Sequence, residues 1–118
     1  MTLRQRQVEF TKCVARLIDK AFSMGFEVTL GEVYRSPAEA ERLAKLGLGV
    51  VNSAHTYRLA IDLNLFKDGK YLTRTEDHRP LGEWWVSYGR KNKLPLYWGG
   101  HFSHPDGNHY SMEYVGIK

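Results

Sequence analysis

Leu59-Ala60-Ile61-Asp62-Leu63-Asn64-Leu65-Phe66 places Ile61, Leu63 and Leu65 at every second position. A period of two is the mark of a β-strand with one face in a core and the other polar. Lys67-Asp68-Gly69-Lys70 follows as a hairpin-turn signal, so Tyr71-Leu72 begins an antiparallel return strand. Helices can supply the apolar cover that one face of such a sheet needs. Phe10, Val14, Leu17, Ile18 and Ala21 recur at helical spacing, with Cys13 beside the stripe as a small core residue. Gly25 ends that helix as a left-handed cap.

Residues 26–34 alternate again, with Phe26, Val28 and Leu30 on one face and Gly31 marking a bulge. Ser36-Pro37-Ala38-Glu39 opens a second helix: Ser36 caps, Pro37 takes the first helical position and Glu39 completes a capping box. This helix runs through Ala40, Leu43, Ala44 and Leu46 and stops near Gly47, before a loop over residues 47–54. Residues 73–79 are polar, with His78 solvated among them. Pro80 opens a third helix carrying Leu81, Trp84, Trp85 and Tyr88 and ending near Asn92. Leu94–Trp98 is extended, and Pro95 places it at an edge or in a connection rather than in a central strand. His109–Val115 is the last strand. The spacing predicts an α+β fold, a mostly antiparallel sheet with flanking helices, in one domain over 1–118.

Composition narrows the function classes. With 42% hydrophobic and 25% charged residues the chain is not of the disordered class. A single cysteine excludes an internal disulfide. No apolar run reaches the roughly 20 residues of a transmembrane segment, and the first residues lack the apolar stretch of a secretory signal. The net charge of +4 suits an anionic partner, or is a plain solvated surface. Dispersed basic residues without a recognition motif argue against nucleic acid.

Five histidines remain to be explained, and His101, His104 and His109 fall close together. His55 and Asp62 are seven apart. Because Asp62 is on a strand, the two converge only if His55 lies in the preceding loop and folds back over it. Asp106-Gly107-Asn108-His109 is turn-forming, so Asp106 and His109 can face one cleft. Two histidines and a carboxylate are a common protein set for a catalytic zinc, and a further carboxylate can serve as base. His55, Asp62 and His109 offer the ligands and Asp106 the base. On spacing, His101 and His104 compete with His109, which the Asp-x-x-His arrangement favours.

Ser53-Ala54-His55-Thr56-Tyr57-Arg58-Leu59-Ala60-Ile61-Asp62 resembles the SxHxxGxAxD motif of the zinc D-alanyl-D-alanine carboxypeptidase family. That family includes vancomycin-resistance D,D-peptidases and phage endolysins that cut L-alanyl-D-glutamate bonds. Trp98-Gly99-Gly100 followed by Asp106-Gly107-Asn108-His109 is similar to the endolysin pattern WGG…DxxH, and Val33-Tyr34-Arg35-Ser36 to the family's YRS segment. The resemblance runs from about Thr29 to Tyr114. It implies a Hedgehog/D,D-peptidase-like fold, with Zn2+ on His55, Asp62 and His109 and Asp106 as the catalytic carboxylate. It also implies that Arg35 polarises the scissile carbonyl or holds a substrate carboxylate, and that Ser53 orients substrate or loop.

Two positions depart from the pattern. Arg58 stands for the motif's Gly, so the backbone there need not have a positive φ, or the loop differs, and a bulky cation near the cleft alters substrate preference. Ser111 stands where endolysin relatives often carry Glu, with Glu113 two residues later.

The resemblance implies a peptidoglycan peptidase cutting stem peptides, with L-alanyl-D-glutamate endopeptidase action expected. The alternatives are a D-alanyl-D-alanine carboxypeptidase or dipeptidase, and a zinc-stabilised wall-binding module without catalysis. A monomer is expected. So is a phage or prophage origin, with synthesis in the bacterial cytoplasm without a signal peptide and release onto the wall.

Overall fold

The computed structural model describes residues 1–118. In chain order the elements are α1 (Leu3–Ser23), β1 (Glu27–Leu30), α2 (Pro37–Lys45), a 3-10 turn (Ala54–Tyr57), β2 (Ala60–Lys67) and β3 (Lys70–Leu72). They continue with α3 (Thr75–Lys91), β4 (Leu96–Trp98), a second 3-10 turn (Gly99–His101) and β5 (His109–Met112). All strand pairs are antiparallel, in the order β1-β2-β5-β4 with β3 also on β2.

The alternating segment is the spine of this sheet. Its first half pairs with β5, placing Ile61 opposite Tyr110 and Asp62 opposite His109. Its second half pairs with β1 and with β3, the latter through a turn whose Asp68 and Gly69 both have positive φ. Ile61, Leu63, Leu65, Tyr110 and Met112 share one buried face. Phe10, Leu17, Leu81 and Trp85 of α1 and α3 join them in one core cluster. Asp62 and His109 are thereby turned to the other face, which the loop after α2 and the first 3-10 turn border.

α1 starts on a reciprocal Thr2–Gln5 capping box and ends just before Gly25, at φ +91°. Cys13 is in the core, and burial, with the nearby Glu9 charge, pushes its thiol up to about 11. Trp98 is wholly buried and donates its indole N–H to the Gly107 carbonyl at 2.6 Å.

Several expectations are corrected. β1 ends at Leu30, which is 63% exposed, so the alternation stops contributing to the core there. Gly31 marks a close approach rather than a bulge: its N–H donates to the Asp62 carbonyl at 2.8 Å, and a Cβ would lie 2.9 Å from that oxygen. Ser36 caps α2 as expected, but Glu39 turns to Arg42 instead of closing a capping box.

Pro80 does not open α3. The helix begins at Thr75, where the Asp77 carboxylate accepts the Arg74 N–H at 3.0 Å. Glu76 and Asp77 suit the positive end of the helix. Arg79 bridges Glu76 and Glu83, at 2.8 and 3.1 Å. These contacts offset the one intrahelical bond that Pro80 cannot donate. His78 is not solvated: only 3% is exposed, and its Nδ1 lies 2.8 Å from the Tyr110 hydroxyl.

Candidate metal centre and its cleft

His55 is carried by the first 3-10 turn. The Ser53 hydroxyl caps that turn by accepting the His55 N–H at 3.2 Å, and the turn closes when Leu59 N–H donates to the Ala54 carbonyl at 3.0 Å. Between them Arg58 is left-handed, at φ 56° and ψ 36°. The backbone that the motif's glycine would favour is therefore retained with an arginine in it. The Arg58 guanidinium stacks over the Tyr34 ring at 4.0 Å from its centroid and does not line the cleft, so the expected cation near the substrate is absent.

The His55 ring is oriented from behind. Its Nδ1 lies 2.9 Å from the Val33 carbonyl, an oxygen that can only accept. The proton therefore sits on Nδ1, leaving Nε2 with a free lone pair toward the cleft.

Asp62 is fixed by its backbone, which receives Gly31 N–H and donates to the Glu32 carbonyl at 2.9 Å. Its Oδ1 lies 3.2 Å from His55 Nε2 and 3.6 Å from His109 Nδ1. That buried oxygen forms no hydrogen bond with either ring, and on His109 it is Nδ1 that faces it, while Nε2 is buried on the ring's other edge without a partner. One atom from each of His55, Asp62 and His109 lies within 4.8 Å of the others. Lone pairs that converge on one space without bonding one another form a donor set that fits a divalent cation, and two imidazoles with one carboxylate suit zinc.

The same proximity sets the charges. Burial pulls the His55 imidazole down, but Asp62, the Val33 carbonyl and Glu32 overcome it and hold it above its ordinary value. Burial pushes the Asp62 carboxyl up, yet His109 and His55 bring it down to about 2. Asp106 goes the other way: burial and the Asp62 charge raise it above the usual carboxylate range, against the pull of His109, His55 and Arg35.

Asp106 Oδ2 lies 4.0 Å from His109 Nδ1, and its side chain is 57% exposed to the cleft. The glycine run positions it. Asp106 N–H donates to the Gly99 carbonyl at 2.9 Å, and a Cβ on Gly99 would lie 2.8 Å from His109 Cβ and collide with the Asp106 carbonyl. The WGG and DxxH segments are therefore one packed unit.

These groups line a cleft of about 820 Å³ together with Leu48, Val50, Phe102, His104 and the Val115–Lys118 end. Arg35 and Ser53 line it too. His104 is at the rim, outside the cluster. His101 pairs with Glu83 at 3.0 Å on the helix surface. Ser111 is buried with its hydroxyl unpaired, and Glu113 caps the turn at Gly116.

A sequence profile of the family described as D-alanyl-D-alanine carboxypeptidase, a peptidase family, matches residues 47–112, more than half of the chain. The chain belongs to this family. The matched span holds the whole His55, Asp62, Asp106 and His109 constellation but not Arg35. Among solved structures, the crystal structure of the Serratia marcescens L-Ala D-Glu endopeptidase ChiX is similar, with a TM-score of 0.69 at 20% identity. That match covers 84% of this chain and 77% of ChiX, and it shows a shared fold. No curated protein matches the sequence.

One residue at the site escaped sequence reasoning. Glu32 sits beside Arg35, its Oε1 3.8 Å from His55 Nε2. Its only sequence signal is the three-residue spacing to Arg35, which points to opposite faces of an extended strand.

Proposed function

We propose that the protein hydrolyses peptide bonds in peptidoglycan stem peptides, using zinc held by His55, Asp62 and His109, and that the bond cut is L-alanyl-D-glutamate. The observation that carries this reading is the convergence of three ligand atoms within 4.8 Å at the base of a cleft that also presents Asp106 and Arg35.

Zinc, when bound, supplies a Lewis acid that polarises the scissile carbonyl and makes a water molecule acidic near neutral pH. Asp106 is placed to take a proton from the attacking water on its carboxylate as the new C–O bond forms. It returns that proton to the amine nitrogen as the C–N bond breaks. Ser53, whose oxygen already accepts the His55 N–H, has its hydroxyl proton available for substrate.

Arg35 has the fork of donors that holds a carboxylate. In both candidate substrates the residue that supplies the leaving amine bears a free α-carboxylate, so Arg35 serves either. They differ beyond it: D-alanine ends in a methyl group, whereas D-glutamate continues through its γ-carboxyl into the rest of the stem. A second depression of about 410 Å³ adjoins the cleft at Phe102 and Lys118, leaving room for a continuing chain and supporting the endopeptidase reading. The family description favours carboxypeptidase action as the second reading. Asp106 facing the cluster counts against a module that only binds.

Zinc-loaded protein incubated with a soluble stem pentapeptide separates the readings. The endopeptidase releases L-alanine and a peptide beginning with D-glutamate, and the carboxypeptidase releases D-alanine. Release of neither overturns the hydrolase assignment.

A further inference from the structure

We infer that Glu32 is the positioning residue that aims Arg35 at the reacting centre, an inference that rests on the function proposed above. Glu32 and Arg35 form a two-pronged ion pair: Arg35 Nε donates to Glu32 Oε2 at 3.2 Å, and an Arg35 terminal nitrogen donates to Glu32 Oε1. Parallel bonds of this kind fix the guanidinium plane as well as its place.

The pair is not an accident of spacing. Residues three apart point to opposite faces of an extended strand, so these side chains meet only because the backbone leaves strand geometry after Leu30. That departure is held at three points by the metal-site segment. The Glu32 carbonyl accepts Asp62 N–H at 2.9 Å, Arg35 N–H donates to the His55 carbonyl at 3.2 Å, and the Val33 carbonyl meets His55 Nδ1 at 2.9 Å. Glu32 is thus tied by backbone to Asp62 and by side chain to Arg35, which makes it a rigid link between the cation and the donor cluster.

Burial separates this pair from ordinary surface pairs. The Arg35 side chain is 14% exposed and that of Glu32 32%. Gly49 adjoins the guanidinium as well: a Cβ there would lie 3.4 Å from a terminal nitrogen of Arg35. Without Glu32 the guanidinium loses its fixed plane in a half-closed slot, and a long side chain with free rotamers no longer holds the substrate carboxylate in register with the scissile bond.

The test is a double-mutant cycle of Glu32→Ala and Arg35→Ala, with Glu32→Asp and Glu32→Gln beside it, on zinc-loaded protein and the soluble stem pentapeptide. Arg35→Ala is expected to lower kcat/KM by about 10²-fold, and Glu32→Ala to lower it by at least about tenfold, with zinc content unchanged. In the Arg35→Ala background, removing Glu32 is expected to change the rate by less than about twofold. Glu32→Asp and Glu32→Gln should each recover part of the loss. An undiminished Glu32 effect without Arg35 overturns the inference and makes Glu32 a proton carrier or metal contact in its own right.

A second readout stands apart from activity. The Arg35 Nε–H resonance should be resolved and protected from exchange in the wild type and collapse to the position of free arginines in Glu32→Ala. An unchanged resonance overturns the inference even if no substrate is cut. An inactive wild type with the expected resonance change sinks the functional reading and leaves the positioning intact.

Discussion

Asp62 and His109 are register partners on β2 and β5, and the Asp62 Oδ1 atom lies 3.6 Å from His109 Nδ1 without a hydrogen bond. Two of the three donors are therefore set by sheet register, the least adjustable feature of the fold. The third, His55, arrives on a turn that is itself hydrogen-bonded to the strand. A site built this way is organised before any ion binds.

Zinc should therefore stabilise the folded chain strongly. At a thousandfold excess over its dissociation constant it adds about 4 kcal/mol, which raises Tm by on the order of 10 °C for a domain of this size. Asp62→Ala should abolish this shift. Thermal melts with zinc and with chelator check it, and equal shifts in wild type and variant would remove Asp62 from the ligand set.

Asp106 is outside the three-donor set, and its replacement should separate binding from chemistry. Asp106→Asn is expected to keep one zinc per chain while kcat falls by about 10²- to 10⁴-fold. Elemental analysis and steady-state rates on the same preparation decide it. A variant that hydrolyses at the wild-type rate removes the base from the mechanism.

Arg58 stores strain that a glycine would relieve. A non-glycine residue at φ 56° costs about 1 kcal/mol, partly offset by the stack on Tyr34, itself about 0.5–1 kcal/mol. Arg58→Ala keeps the strain and loses the stack, whereas Arg58→Gly loses both. Arg58→Gly should thus be more stable than Arg58→Ala by about 1 kcal/mol. Urea denaturation with the opposite order would show that the left-handed turn is unstrained.

His78 predicts an acid-sensitive component of stability. Burial lowers its imidazole from 6.5 to about 4. Between those values the unfolded chain binds a proton that the folded chain does not, so stability rises with pH there. The contribution is complete above pH 6.5 and is lost as pH falls toward 4, amounting to about 3 kcal/mol at about 1.4 kcal/mol per pH unit. With chelator present throughout, the advantage of wild type over His78→Gln should shrink by that amount between pH 7.5 and 4. Parallel stability curves would contradict the burial effect.

The fold was legible where periodicity and turn chemistry agree. The alternation through Ile61, Leu63 and Leu65, the Asp68-Gly69 turn and the α1 stripe led to the observed α+β sheet and helices. The α3 boundary was not legible, because Pro80 imitates a first helical residue and the Asp77 cap on Arg74 N–H appears only in three dimensions. His78 sat in a charged run whose helical phase was therefore missing, so its inward face could not be read. Spacing and motif named His55, Asp62 and His109, and the structure brings these three side chains together. Glu32 left no such trace, because its partnership with Arg35 depends on a bend after β1 that no local pattern encodes. At Arg58 the motif was informative about backbone geometry even though its glycine is absent.

In the proposed function a single zinc ion on His55, Asp62 and His109 drives peptide hydrolysis. Metal-free protein titrated with zinc, with cleavage of the stem pentapeptide followed at each addition, reads out that dependence. Activity should rise linearly from near zero and saturate at one zinc per chain, with His55→Ala flat throughout. Full activity in the chelated protein, or an unchanged titration in His55→Ala, would contradict it.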